Sequence, residues 1–270
     1  MIGGRALAVI DCRFDLMAPE AGKRAYLTAH IPGARYADLN RDLAAPVGPA
    51  TGRHPLPSPD LLALLLGLLG IANGVQVVAY DAANGSIAAR LWWMLRWLGH
   101  FEAAVLERGF AAWVAMGGAL ESGDVAPAAM HFSARVDSLA VSSSAEVLEA
   151  SRNPLRLVVD ARAPERYTGA VEPLDPIAGH VPGAVNHPFT ANLSADGRFL
   201  AKPLLRRRWE ERLAGTPPAN VIAMCGSGVT ACHNLLSLEA AGLTGAKLYA
   251  GSWSEWIRDP TRPVAGGSEP

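Results

Sequence analysis

Apolar residues along this chain gather in short runs at residues 6–10, 75–80, 104–106, 157–159 and 221–224. Runs of that length read as strands buried on both faces. The longer stretches between them carry helix signals. Ser58-Pro59-Asp60 reads as a helix start with proline in the first turn, and Gly70 with Asn73-Gly74 as its stop. Residues 87–98 and those following Thr230 read as further helices. Trp92, Trp93 and Trp97 fall at helical spacing and are expected in core or domain-interface packing. Alternating strands and helices predict the α/β class, with mainly parallel sheets flanked by helices.

The order of elements occurs twice. A strand ends at Asp11 and another at Asp160. His30-Ile31-Pro32-Gly33-Ala34 returns as His180-Val181-Pro182-Gly183-Ala184, an offset of 150. The strand that ends at Asp81 returns as the one that ends at Cys225, an offset of 144. Gly251-Ser252-Trp253-Ser254-Glu255-Trp256 stands where residues 108–113 stood. The chain therefore reads as a tandem duplication: a first domain at 1–122, a Gly/Pro/Ala-rich linker at 123–138, and a second domain at 139–270. The histidines before Pro-Gly read as structural hydrogen-bonders at a turn.

The two halves differ at one position that matters. Cys225 is followed by Gly226, Ser227, Gly228, Val229 and Thr230, and then by a helical stretch. Small residues let such a loop curl its N–H groups toward one spot, and a helix start adds its positive end. A cysteine placed there is expected to ionise readily and to act as a nucleophile. The first half carries Asp81 instead, which is no sulfur nucleophile and would repel an anionic substrate. One working site per chain is expected, in the second half.

Composition narrows the class of protein. Of 270 residues, half are hydrophobic and 18% are charged, and the net charge is -1 with no block of like charges, so a nucleic-acid partner is not implied. Cys12, Cys225 and Cys232 match neither a metal-ligand spacing nor a disulfide framework. Cys232 sits seven residues beyond Cys225 and reads as a buried helix residue, about 10 Å away along the helix. The opening MIGGRALAVID shows no signal-peptide pattern, and the longest apolar run, 61–72, falls short of the roughly 20 residues of a membrane span. A soluble, reducing, cytoplasmic setting without a membrane partner is expected.

With both His-Ile/Val-Pro-Gly-Ala motifs, Cys-Gly-Ser-Gly-Val-Thr-Ala and Gly-Ser-Trp-Ser-Glu-Trp in hand, the chain resembles the tandem-domain rhodanese sulfurtransferases. Its cysteine loop is most similar to that of the 3-mercaptopyruvate sulfurtransferases. The resemblance implies two rhodanese-like domains and a ping-pong reaction. In it Cys225 takes a sulfane sulfur from a small donor, becomes a persulfide, and passes the sulfur to cyanide or a thiol such as thioredoxin. No metal or organic cofactor is implied, because the sulfur rides on the protein. The loop amides of Gly226, Gly228 and Val229, with the Ser227 and Thr230 hydroxyls, are expected to hold the sulfur, and the resemblance gives Ser227 a proton-handling role.

Donor choice is expected to follow charge. Thiosulfate-type members of the family carry basic residues directly after the cysteine, whereas Gly226 and Ser227 suit a monocarboxylate. Arg166 matches the arginine that grips the donor carboxylate, through two parallel hydrogen bonds. The second arginine of that pattern is replaced by Leu174 after Glu172-Pro173, and an acidic residue past the first Pro-Gly-Ala by Asn40. Arg53 or His54, in a proline-rich loop, is expected to compensate. Three rivals remain: a thiosulfate-specific enzyme, a non-catalytic sulfur-carrier or docking module, and a cysteine phosphatase. The last needs an arginine six positions after the cysteine, where Ala231 stands.

Overall fold

The computed structural model describes residues 6–269; residues 1–5, the start of the segment expected to lack a signal-peptide pattern, lie outside the described part. Described residues up to Pro46, with Leu56–Asp137, form one compact unit. Val47–Pro55 and the residues from Ser138 onward form the other. The stretch 123–137 packs along the first unit: Met130 N–H donates to Gly67 O at 2.9 Å and Arg135 N–H to Leu98 O at 2.8 Å. Among the described residues no helix is long and apolar enough to cross a membrane.

Each unit is built on a four-stranded, wholly parallel sheet. The first has β1 (Leu7–Asp11), β2 (Arg35–Tyr36), β3 (Gln76–Tyr80) and β4 (Ala103–Val105), in the order β2-β1-β3-β4. The second has β5 (Leu157–Asp160), β6 (Val185–Asn186), β7 (Val221–Met224) and β8 (Lys247–Leu248), in the order β6-β5-β7-β8. The shared order is the duplication read from the landmarks. β2, β6 and β8 have two residues each, too few for any hydrophobic period to announce them. The helix Pro59–Leu68 starts where expected, with the Ser58 hydroxyl accepting from Leu61 N–H at 3.3 Å. Trp92, Trp93 and Trp97 lie buried on the helix Ala88–Trp97.

The core of the second unit gathers Val147, Val158, Tyr167, Ile222, Met224, Trp253 and Trp256. Burying side chains of this size stabilises by about 1.5–3 kcal/mol each. The strand-end aspartates, by contrast, are buried charges and need partners. Asp160 accepts from the Arg162 fork, Nε at 2.9 Å and Nη2 at 2.6 Å on Oδ2, and Nη2 also donates to Gly179 O at 2.8 Å. Arg13 repeats this on Asp11 at the same two distances, and reaches Ala29 O at 2.6 Å. Each arginine thus ties a strand end to the residue just before a His-x-Pro-Gly-Ala turn. His30 Nδ1 lies 2.8 Å from Tyr26 O, and His180 Nδ1 2.8 Å from Tyr167 O. Both histidines stack on those same tyrosines. They anchor turns, as their position before Pro-Gly implied.

Candidate active site

β7 is buried along its whole length, and its last residue pairs with Asp160 of β5. Cys225 follows at the carboxyl end of the sheet, where ligands of parallel α/β sheets collect. Its Sγ accepts from Gly228 N–H at 3.1 Å. Gly228 has φ +75°, and a Cβ there would stand 2.3 Å from Ala250 O, so only glycine lets the loop turn that amide onto the sulfur. Val229 is buried beside the helix Thr230–Ala240, which the half-buried Thr230 opens. Cys232 is buried on that helix, its thiol donating to Gly228 O at 3.3 Å.

The Gly251-Ser-Trp-Ser segment supports the loop from behind. Trp253 N–H donates to Cys225 O at 3.0 Å and Ser254 N–H to Gly226 O at 2.9 Å. Ser252 Oγ accepts from Cys225 N–H at 3.0 Å and donates to Tyr249 O at 2.9 Å. In the first unit Phe110 N–H donates to Asp81 O at 2.8 Å and Ala111 N–H to Ala82 O at 3.0 Å, the same two bonds. There the Asp81 carboxylate itself fills the loop. It accepts from Ala83 and Gly85 N–H on Oδ1 and from Ile87 and Ala88 N–H on Oδ2, at 2.8–3.2 Å. The anion-holding amides of the first unit are thus occupied by the chain's own anion.

Ser227 and His54 come together in the second unit. His54 Nδ1 lies 2.7 Å from Ser227 Oγ, and both side chains are buried. His54 reaches the serine because Val47–Pro55 packs as part of this unit. Arg53 N–H donates to Ser254 Oγ at 3.0 Å, which fixes the strand of backbone that carries both residues. A hydroxyl held by an imidazole can give up a proton and take one back.

Two guanidiniums converge on Gly226. A Cβ built there would lie 2.9 Å from Arg53 Nη2 and 3.3 Å from Arg166 Nη1, so the missing side chain is what admits them. The expected two-bond grip of Arg166 on a donor is already taken by a residue of the chain. Its Nε and Nη2 bind both oxygens of Glu172 at 2.7–3.1 Å, and Nη2 also reaches Asp175 Oδ2 at 3.1 Å. Its Nη1, for which no carboxylate hydrogen bond is seen among the described residues, stands nearest Gly226, with Nη2 at 3.5 Å from the built Cβ. Arg53 Nη1 is bound to Asp175 Oδ1, and Arg53 Nε is buried without a hydrogen-bond partner among the described residues. A buried donor left without an acceptor is costly, and an anionic ligand would satisfy it.

Glu172 and Asp175 are the residues that motif reading missed. Leu174, which stands where the family pattern has a second arginine, contributes its backbone N–H to Glu172 Oε1 at 3.0 Å, and Asp175 N–H adds another at 3.2 Å. Burial pushes the Glu172 carboxyl up, but the Arg166 hydrogen bonds, these amides and the Arg166 charge outweigh it and hold it below the usual range. Burial lifts the Asp175 carboxyl, against the pull of Arg53 and with a push from Glu172. The signal available in sequence was two acids three residues apart, close after two arginines.

The rhodanese-like domain model matches residues 1–116 and again 143–259. A probable 3-mercaptopyruvate sulfurtransferase of Pseudomonas aeruginosa is 49% identical over 97% of this chain and 93% of its own length. Bovine thiosulfate sulfurtransferase is 35% identical over 94% of this chain and 86% of its own. Among solved structures, SseA of Escherichia coli, described as a 3-mercaptopyruvate sulfotransferase with the rhodanese fold, superposes with a TM-score of 0.79. It is 33% identical, over 92% of this chain and 93% of that one. With both copies of the domain matched and the sheet order repeated in each unit, the chain belongs to the rhodanese-like domain family.

Proposed function

We propose that the protein is a sulfurtransferase that moves the thiol sulfur of 3-mercaptopyruvate, as the sulfane sulfur of a persulfide on Cys225, to a thiol acceptor. Relatives carrying both the mercaptopyruvate and the thiosulfate name align along nearly the whole chain. The class of reaction is therefore common to them, and local geometry has to choose the donor. The observation that carries the choice is the pair Arg53 and Arg166 over Gly226, one residue from the sulfur, with the buried Arg53 Nε left without a partner among the described residues.

In this reading the Cys225 thiolate attacks the donor sulfur, and the bond from that sulfur to C3 breaks. The electron pair stays on C3 as the pyruvate enolate, which takes a proton delivered through Ser227 and His54. Gly228 N–H, with the neighbouring loop amides of Gly226 and Val229 and the Thr230 hydroxyl, holds the anionic sulfur. An acceptor thiolate then attacks the outer sulfur and Cys225 leaves as thiolate, so no outside oxidant or reductant is needed. Thioredoxin in a cytoplasmic setting is an acceptor of the right chemistry. The second unit (139–270 with the Arg53–His54 segment) carries the reaction, and the first, with Asp81 in its loop, is a non-catalytic partner.

Steady-state comparison of kcat/KM for the two donors tests this. Mercaptopyruvate is expected to exceed thiosulfate by at least about tenfold, the scale of one well-placed charge interaction. A reversed order would make it a thiosulfate enzyme. No turnover with either donor, in folded protein, would favour the docking-module reading.

A further inference from the structure

We propose that Asp175 is a specificity-determining residue that matches the site to a donor of one negative charge rather than two. This rests on the sulfurtransferase reading above. Six side chains are joined by a chain of ion pairs that reaches Gly226 through Arg53 and Arg166: Arg53, Arg162 and Arg166 with Asp160, Glu172 and Asp175, and Arg162 also feels the Cys225 sulfur. Three cations meet three carboxylates. Asp160 is engaged by the Arg162 fork and Glu172 by the Arg166 fork. Asp175 is the third counter-charge, with one oxygen on Arg53 and the other on Arg166. Its side chain is only 3% exposed, so its charge is felt by the cluster with little screening from water.

A donor therefore meets hydrogen-bond donors without a surplus of positive charge. A monocarboxylate satisfies Arg53 Nε and the two guanidinium ends against Gly226. A dianion makes the same bonds but brings twice the charge to a cluster that has no net positive charge to offset it. Leu174 sharpens the effect, because the position beside Asp175 adds no cation. The second guanidinium comes from Arg53 instead, and Asp175 both places it and cancels it. Asp175 is thus a positioning residue whose charge, apart from its hydrogen bonds, sets the preferred donor.

The test is the ratio of kcat/KM for thiosulfate to that for 3-mercaptopyruvate in two variants of opposite sign. Asp175→Asn keeps the shape and leaves one net positive charge, so the ratio is expected to rise about tenfold. Arg53→Gln leaves one net negative charge, so the ratio is expected to fall below wild type. Asp175→Glu, which restores the charge, should bring the ratio back toward wild type. A residue that merely holds the loop together would lower both rates in parallel and leave the ratio unmoved. That result in Asp175→Asn and Arg53→Gln, with wild type active, overturns the proposal and spares the sulfurtransferase reading. If Asp175→Asn does not fold, Arg53→Gln decides alone. If wild type turns over neither donor, the reading beneath fails and the proposal falls with it.

Discussion

His54 Nδ1 lies 2.7 Å from Ser227 Oγ, joining two buried side chains that are 173 residues apart in sequence. In the proposed reaction this contact lets a loop serine handle a proton. Ser227→Ala is expected to lower kcat for mercaptopyruvate by about 100-fold, the low end for a general acid, with KM within a few-fold of wild type. His54→Asn should lower kcat in the same direction by less. Pyruvate release under saturating donor measures both, and an unchanged kcat in Ser227→Ala would remove the serine from the chemistry.

Gly226 makes room for the guanidiniums, so filling that room should weaken donor binding. A Cβ at 226 meets the flexible ends of Arg53 and Arg166 at 2.9 and 3.3 Å, which can swing aside. Gly226→Ala is therefore expected to fold normally and to raise KM for mercaptopyruvate about tenfold, the cost of a loosened charge-assisted hydrogen bond. Arg53→Ala should raise KM at least as much. An unchanged KM in both would sever these residues from donor binding.

Gly228 and Gly33 allow strain to be separated from collision. Both have left-handed φ, +75° and +73°, but a Cβ at 228 meets Ala250 O at 2.3 Å whereas one at 33 meets nothing within 4 Å. Gly33→Ala is expected to cost about 1 kcal/mol and Gly228→Ala about 3 kcal/mol or more, since backbone cannot step aside cheaply. Urea unfolding of the two variants reads the difference, and equal losses would show that the close approach at Ala250 is not what restricts position 228.

Glu172 gives a pH signature. Its folded-state pKa is held below its unfolded value, so its contribution is present above the unfolded value and fades as pH falls through the folded one. Glu172→Gln should therefore unfold at a lower temperature than wild type at pH 7. The gap should shrink as pH falls below the ordinary glutamate range and wild type too comes to carry a protonated carboxyl. Thermal melts across that range check it, and a gap that stays constant with pH would assign the loss to shape rather than charge.

What sequence made legible here was local. The strand-end landmarks, the Cys-Gly-Ser-Gly loop and the turn role of His30 and His180 each depend on neighbours within a few residues. The Asp-x-Arg pairs at 11/13 and 160/162 were equally local and repeated, yet a buried ion pair leaves no hydrophobic period to draw attention to it. Arg166 is named by the resemblance, but the taking of its fork by Glu172 depends on how the loop between them folds back. The two-residue strands exist only because a neighbouring strand supplies their hydrogen bonds. His54 on Ser227 and Arg53 on Asp175 join residues more than a hundred positions apart. Spacing cannot announce such pairs, since the whole chain must fold before they meet.

If the protein works as proposed, Cys225 carries the transferred sulfur. Intact-mass spectrometry after brief incubation with 3-mercaptopyruvate, before any acceptor is added, measures this directly. Wild type should gain about 32 Da, lost again on adding a thiol, and Cys225→Ser should gain nothing. A gain of the same mass in folded Cys225→Ser would place the sulfur elsewhere and contradict the account.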